Sequence, residues 1–244
     1  MEHLNVSIFI PCFVDQIYPD TAFNMIKVLE RLGCRVHYNP DQTCCGQPAF
    51  NAGYWKEARS VGEKFIHDIH TYDYIVAPSA SCTGFVRNYY GKLFDNSAVH
   101  NEMKQVRANL YEFSEFLVHV LKVTDVGARF EAVATYHDSC AGLRECKIKD
   151  EPRRLLADVR GLELREMADT ETCCGFGGTF TVKYDAISTA MADQKVRNAA
   201  ATDAEYLIST DLSCLMHLEG YMNKNGRPLK CMHIADVLAS GWDQ

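Results

Sequence analysis

The tripeptide Cys-Cys-Gly occurs twice in this chain, at 44–46 and at 173–175. With 11 cysteines and 15 glycines among 244 residues, about 0.03 such tripeptides are expected by chance. The pair therefore marks an internal duplication, and a duplication restricts the fold more than any other feature does. One cysteine precedes each pair at a similar distance: Cys12 lies 32 residues before Cys44, and Cys140 lies 33 before Cys173. Another follows each: Cys82 is 37 residues after Cys45, and Cys214 is 40 after Cys174. The segment Tyr74-Ile-Val-Ala-Pro-Ser-Ala-Ser-Cys82 aligns without gaps on Tyr206-Leu-Ile-Ser-Thr-Asp-Leu-Ser-Cys214. Ile8-Phe-Ile-Pro-Cys12 parallels Thr135-Tyr-His-Asp-Ser-Cys140. Each Cys-Cys-Gly leads to a Phe (Phe50, Phe180) and then a Tyr (Tyr54, Tyr184), and the tyrosines are read as packing residues. The boundary is placed between Lys122 and Arg129, a segment with Gly127 and no long apolar run. This gives a first unit over 1–125 and a second over 126–244.

Both halves show the same alternation of elements. Asn5–Ile10 and Glu131–Tyr136 are β-branched and aromatic, which predicts strands ending near a cysteine. Asp20–Leu32 predicts a helix capped by Asp20 or Thr21, with Met25, Val28, Leu29 and Leu32 on one face. Short apolar strands are expected at Tyr74–Ala77 and Glu205–Ser209, each leading into a helix, at Cys82–Tyr90 and Leu212–Met222. Phe113, Phe116, Leu117, Val120 and Leu121 follow helical spacing. The pattern predicts an α/β fold of two pseudo-repeated cysteine-rich units with mainly parallel sheets. In such sheets, sites gather beyond the carboxyl ends of the strands, where these cysteines fall.

Charge and hydropathy narrow the setting. A net charge of −7 without a dense Lys/Arg tract argues against a nucleic-acid partner. Met1-Glu2-His3-Leu4 carries an acid rather than a positive n-region, and Pro11 and Asp15 break the apolar run that follows. No stretch approaches the ~20 apolar residues of a membrane helix. The expectation is a cytoplasmic protein with no transmembrane segment. A reducing cytosol keeps thiols free, so cysteines at this density point to metal or redox chemistry. Cys34, Cys146 and Cys231 stand alone and read as small buried hydrophobes.

Four thiolates from each half suit a metal. Adjacent cysteines diverge, so both seldom ligate one small tetrahedral ion, whereas a cluster several Å across can accept both. The glycine after each pair permits a tight turn. Cluster iron is usually held by four cysteines. Zinc also takes four thiolates and stays as the alternative, although its sites favour C-x₂₋₄-C knuckles, which this chain lacks. The expected ligands are Cys140, Cys173, Cys174 and Cys214 for one group, and Cys12, Cys44, Cys45 and Cys82 for a second. The chain has no ferredoxin run, no G-x-G-x-x-G after a strand and no Walker or H-E-x-x-H motif. Gly177 and Gly178 read as room for close backbone approach to a cluster, with a phosphate cradle as the weaker reading. His137 is either a metal-site residue that orients, ligates or moves protons, or a strand-end histidine satisfied by a carbonyl. Its catalytic role is left open. Ser79 and Asp211 occupy matching places and read as helix caps. Arg144 and Lys147 read as surface charges, with stabilisation of an anionic cluster or of a carboxylate substrate as the alternative.

The doubled motif resembles the CCG cysteine-rich domain family, most specifically at His137-Asp-Ser-Cys140 and Cys173-Cys-Gly-Phe-Gly-Gly178. The family includes the B subunit of heterodisulfide reductase and the iron–sulfur subunit of glycolate oxidase. Within it the chain is similar to the lactate-utilization group, which carries two such units and no ferredoxin domain. The resemblance implies an oxidoreductase subunit that transfers electrons in a complex oxidising L-lactate to pyruvate. It implies one or two iron–sulfur clusters, of [4Fe–4S] type. It also implies a ferredoxin-type iron–sulfur subunit and a third small subunit as partners, with a small-molecule substrate as a further possibility. Full CCG motifs in heterodisulfide reductase end C-x-x-C and supply five cysteines. Here the ends read Ser79-x-x-Cys82 and Asp211-x-x-Cys214, leaving four per half. The alternatives are a heterodisulfide or thiol–disulfide reductase subunit and a zinc-bound scaffold.

Overall fold

The computed structural model describes residues 4–69 and 73–242; the acidic start at Met1 to His3 lies outside them. The chain forms two four-stranded, all-parallel sheets. The first holds β1 (Asn5–Ile8), β2 (Arg35–Tyr38), β3 (Tyr74–Ala77) and β4 (Leu110–Glu112), in the order β2-β1-β3-β4. The second holds β5 (Arg129–Tyr136), β6 (Arg160–Leu164), β7 (Tyr206–Ser209) and β8 (Lys230–His233), in the order β6-β5-β7-β8. The two orders are the same, as the repeated motif requires. β3 and β7 are central, and Ile75, Val76, Ala77, Leu207 and Ile208 are fully buried, because helices cover both faces of a parallel sheet.

The helices begin near the expected places, with one difference at the helix expected over Asp20–Leu32. Its span is Pro19–Arg31, with Pro19 in the first turn and Tyr18 before it, and no side chain caps it. Proline fits there because its missing N–H would be unpaired in any helix start. Thr21, expected as a cap, instead donates to Asp236 Oδ2 at 2.9 Å. Ser79 and Asp211 do cap Ala80–Phe94 and Leu212–Lys224, accepting from the N–H groups of Cys82 and Ser213. The run from Phe113 is helical, its second part, Phe116–Val120, in π form. Phe113, Phe116 and Leu117 are buried as the spacing predicts.

Each half lends its last helix to the other. Ile234–Leu238, after β8, packs on Pro19–Arg31, while Phe113–Glu115, after β4, packs on Asp150–Ala157. One hydrophobic cluster accordingly runs through both halves, including Met25, Leu29, Phe113 and Phe116 from the first and Leu155, Leu156, Val237 and Leu238 from the second. A separate aromatic cluster in the first half holds Phe9, Phe65, Phe85 and Tyr90. Among the described residues, no helix is long and apolar enough to cross a membrane.

Candidate metal centre

The four sulfurs of each half meet. In the first half Cys12 follows β1, Cys82 lies in the first turn of the helix after β3, and the Cys44–Cys45 loop comes between them in the chain. Cys12 hydrogen-bonds to Cys44, Cys44 to Cys45, and Cys45 to Cys82. The second half repeats the chain of contacts: Cys140 to Cys173, Cys173 to Cys174, and Cys174 to Cys214. The glycines shape these loops. Gly46 and Gly175 have φ of +89° and +96°, and a Cβ on Gly175 would stand 2.6 Å from the Ser188 carbonyl oxygen. Their N–H groups turn back to Cys44 Sγ and Cys173 Sγ, each at 3.4 Å.

Those contacts set the proton positions. Hydrogen bonds from Cys12 and then Cys45 hold the Cys44 thiol down to about 3. Cys140 and then Cys174 hold Cys173 down to about 2. The donors Cys12 and Cys140 are pushed up by the same bonds and by burial. Each quartet thus gathers its charge on one central sulfur. Ionising the remaining thiols of a quartet would set like charges against one another in a largely buried site, and a bound cation offsets that repulsion. The donor set therefore fits a metal group.

All eight of these cysteines line one cavity of about 340 Å³, between the carboxyl ends of the two sheets. Asp211 stands between the quartets: its Oδ2 accepts from Ser81 N–H at 2.8 Å, and its Oδ1 from the Ser213 N–H and hydroxyl. Ser79, Gly177, Gly178 and Arg144 also line the cavity. Arg144 and Lys147 are exposed.

His137 is fully buried, and neither of its ring nitrogens has a hydrogen-bond partner among the described residues. Satisfaction by a backbone carbonyl is therefore not its role. One ring nitrogen, Cys174 Sγ and Cys214 Sγ all lie within 4.8 Å of one another. Burial, and then Lys195, lower its pKa to about 3, so it is a neutral imidazole at ordinary pH. Next to it, Asp138 is clamped by Arg153 through two bonds of 2.9 and 2.8 Å.

The lone cysteines and the tyrosines complete the comparison with the sequence. Cys34 and Cys146 are buried, and Cys146 Sγ contacts the Ala80 carbonyl oxygen at 3.3 Å. Cys231 is partly buried, and burial raises all three thiols. Tyr54 and Tyr184 do not pack inside; they are 63% and 54% exposed. They stand just before the helices Trp55–Ile69 and Asp185–Ala200, where their backbone carbonyls accept the first helical bonds and their rings face out. Sequence reading missed Lys195, a fully buried lysine whose Nζ donates to the carbonyls of Asp169 and Thr170 at 2.6 and 3.0 Å. It also missed Ser188 and His217, which hold the second loop: Ser188 Oγ donates to the Gly175 carbonyl at 2.8 Å and lies 3.2 Å from His217 Nε2.

A family model described as a cysteine-rich domain, CCG, matches residues 6–87 and 134–219. The chain is 43% identical over 235 residues to Lactate utilization protein A of Halalkalibacterium halodurans, with 96% of each chain covered. It is also 43% identical to Lactate utilization protein A of Geobacillus kaustophilus, covering 96% of this chain and 98% of that one. Among solved structures, a hypothetical protein from Helicobacter pylori superposes with a TM-score of 0.63 at 9% identity, a likeness of fold alone. That match covers 98% of this chain, which spans about half (49%) of the Helicobacter chain.

Proposed function

The chain belongs to the CCG cysteine-rich domain family, and from that premise we propose that it is the iron–sulfur electron-transfer subunit of a cytoplasmic complex that oxidises L-lactate to pyruvate. The observation that carries this reading is the convergence of two complete thiol quartets on one cavity. Cys12, Cys44, Cys45 and Cys82 would hold one group, and Cys140, Cys173, Cys174 and Cys214 the other. When bound, an iron–sulfur group supplies one-electron storage and transfer. The chain's own part is to gather thiolates, fix them on glycine turns and keep them largely out of water. The second site adds an imidazole and an ammonium. Oxidation of lactate releases two electrons and two protons, and two quartets in one chain match that number. The substrate follows from the names of the relatives above. The partners in this reading are a ferredoxin-type iron–sulfur subunit and a third small subunit.

A second reading, a heterodisulfide-type reductase, is favoured by one observation: both quartets face the same cavity, so the two sulfurs of a disulfide could be met from either side. It predicts disulfide reduction by the reconstituted protein with an electron donor, abolished by Cys173→Ser.

Growth on L-lactate as sole carbon source tests the first reading. A strain lacking the chain should fail to grow, and the wild-type chain should restore growth where the Cys173→Ser chain does not. Unimpaired growth of the deletion strain would refute it.

A further inference from the structure

The two quartets are alike in thiols and unlike in surroundings. Phe9 and His137 are equivalent: each stands three residues before the first cysteine of its quartet, and each donates its N–H to the neighbouring strand, Phe9 to Val76 O at 2.9 Å and His137 to Ile208 O at 2.8 Å. Phe65 and Lys195 are equivalent too. Each stands seven residues after the residue whose N–H bonds the helix-starting tyrosine, Ala58 to Tyr54 O and Ser188 to Tyr184 O, both at 2.9 Å. All four side chains are fully buried. In the first half the two rings meet edge to face at 4.7 Å. In the second half the same pair is an imidazole and an ammonium.

We infer that this exchange tunes the two quartets apart, His137 and Lys195 making the group held by Cys140, Cys173, Cys174 and Cys214 the more easily reduced of the two. The inference rests on the iron–sulfur reading above. Reduction adds one negative charge to a bound group. A buried ammonium stabilises the added charge, and an imidazole does so whether it ligates iron or donates its N–H to sulfur. An aromatic wall offers neither, and an apolar surrounding disfavours added charge. Other charges near the second quartet do not reverse the sign. Asp138 is paired with Arg153, and the Asp211 carboxylate is held by amides at the starts of two helices. Burial lowers the pKa of Lys195, and against that Cys174, Asp138 and Asp169 favour its charged form, while its Nζ keeps two carbonyl partners.

The test is a spectroelectrochemical titration of the anaerobically purified full chain, with dithionite as reductant and with iron and acid-labile sulfide counted in the same samples. The wild type should show two reduction waves. Lys195→Met and His137→Phe should each move the higher wave to more negative potential, by about a tenfold change in the reduced-to-oxidised ratio, which is about 59 mV for one electron. The lower wave should stay in place in both. Phe9→His should move the lower wave upward. If methionine at 195 prevents folding, His137→Phe and Phe9→His decide the matter. Sulfide-loaded protein with a single wave, or with two waves that none of these variants moves, overturns the inference and leaves the iron–sulfur reading intact. Protein without acid-labile sulfide overturns both.

Discussion

Asp211 reaches from one half of the molecule to the other: its Oδ2 accepts from the N–H of Ser81, 130 residues away, at 2.8 Å. Its other oxygen caps its own helix, Leu212–Lys224. One carboxylate therefore ties together the starts of the two helices that present Cys82 and Cys214. Asp211→Ala removes a cap worth about 1 kcal/mol and leaves the half-buried Ser81 amide without its acceptor, at a further cost of about 1–3 kcal/mol. Denaturant unfolding should register a loss of about 2–4 kcal/mol, and Asp211→Asn should recover part of it.

Gly175 and Gly178 separate backbone strain from collision. Both have positive φ, but a Cβ at 178 meets nothing within 4 Å, whereas one at 175 runs into the Ser188 carbonyl. Gly178→Ala should cost about 1–2 kcal/mol, the left-handed penalty alone. Gly175→Ala should cost more, and it should also displace Cys173 and Cys174, lowering metal content after anaerobic purification. Equal effects on stability and metal content would contradict this account of the loop.

Arg153 holds a buried carboxylate beside His137. Its guanidinium makes two bonds to Asp138, whose side chain is only 2% exposed, and it lies over the Tyr136 ring at 5.1 Å. Arg153→Met leaves that charge unpaired, at a cost of about 3–5 kcal/mol in an unfolding titration. Arg153→Lys should fall between, because an ammonium cannot make the paired bonds.

Glu112 gives the fold a pH dependence. Burial raises its pKa from 4.5 to about 8, against the bonds it accepts from Ser114 and Glu115. The native state therefore binds more protons than the unfolded state between these values. Stability from this group is fully present below about 4.5 and falls as pH rises to about 8, by at most about 1.4 kcal/mol per pH unit. Unfolding curves of wild type and Glu112→Gln should converge at low pH and separate toward pH 8, with the variant the more stable. A constant difference across that range would contradict the assignment.

Much of this could be read in the sequence because the duplication is written in its rarest residues. Cysteine spacing, strand-ending positions and the alternation of elements together gave the parallel sheets and the eight converging thiols. The capping of the Pro19–Arg31 helix was not legible, because Pro19 and Tyr18 start it by backbone geometry and Thr21 is used in a contact 215 residues away. The outward tyrosines were not legible because a repeated aromatic looks the same whether it packs or serves a helix start by its carbonyl. Lys195 sits among ordinary helix residues, and only the fold reveals that its ammonium is buried. Its signal was nonetheless present: aligning the helices that follow each Cys-Cys-Gly sets it against Phe65, as aligning the strand ends sets His137 against Phe9.

The account depends on the two quartets closing around iron and sulfide, and chemical analysis of the anaerobically purified chain tests this directly. Iron and acid-labile sulfide in near-equal amounts, about four of each per filled quartet, are predicted. Cys140→Ser with Cys173→Ser should lose one group, and Cys12→Ser with Cys44→Ser the other. Zinc at full occupancy without acid-labile sulfide would contradict it.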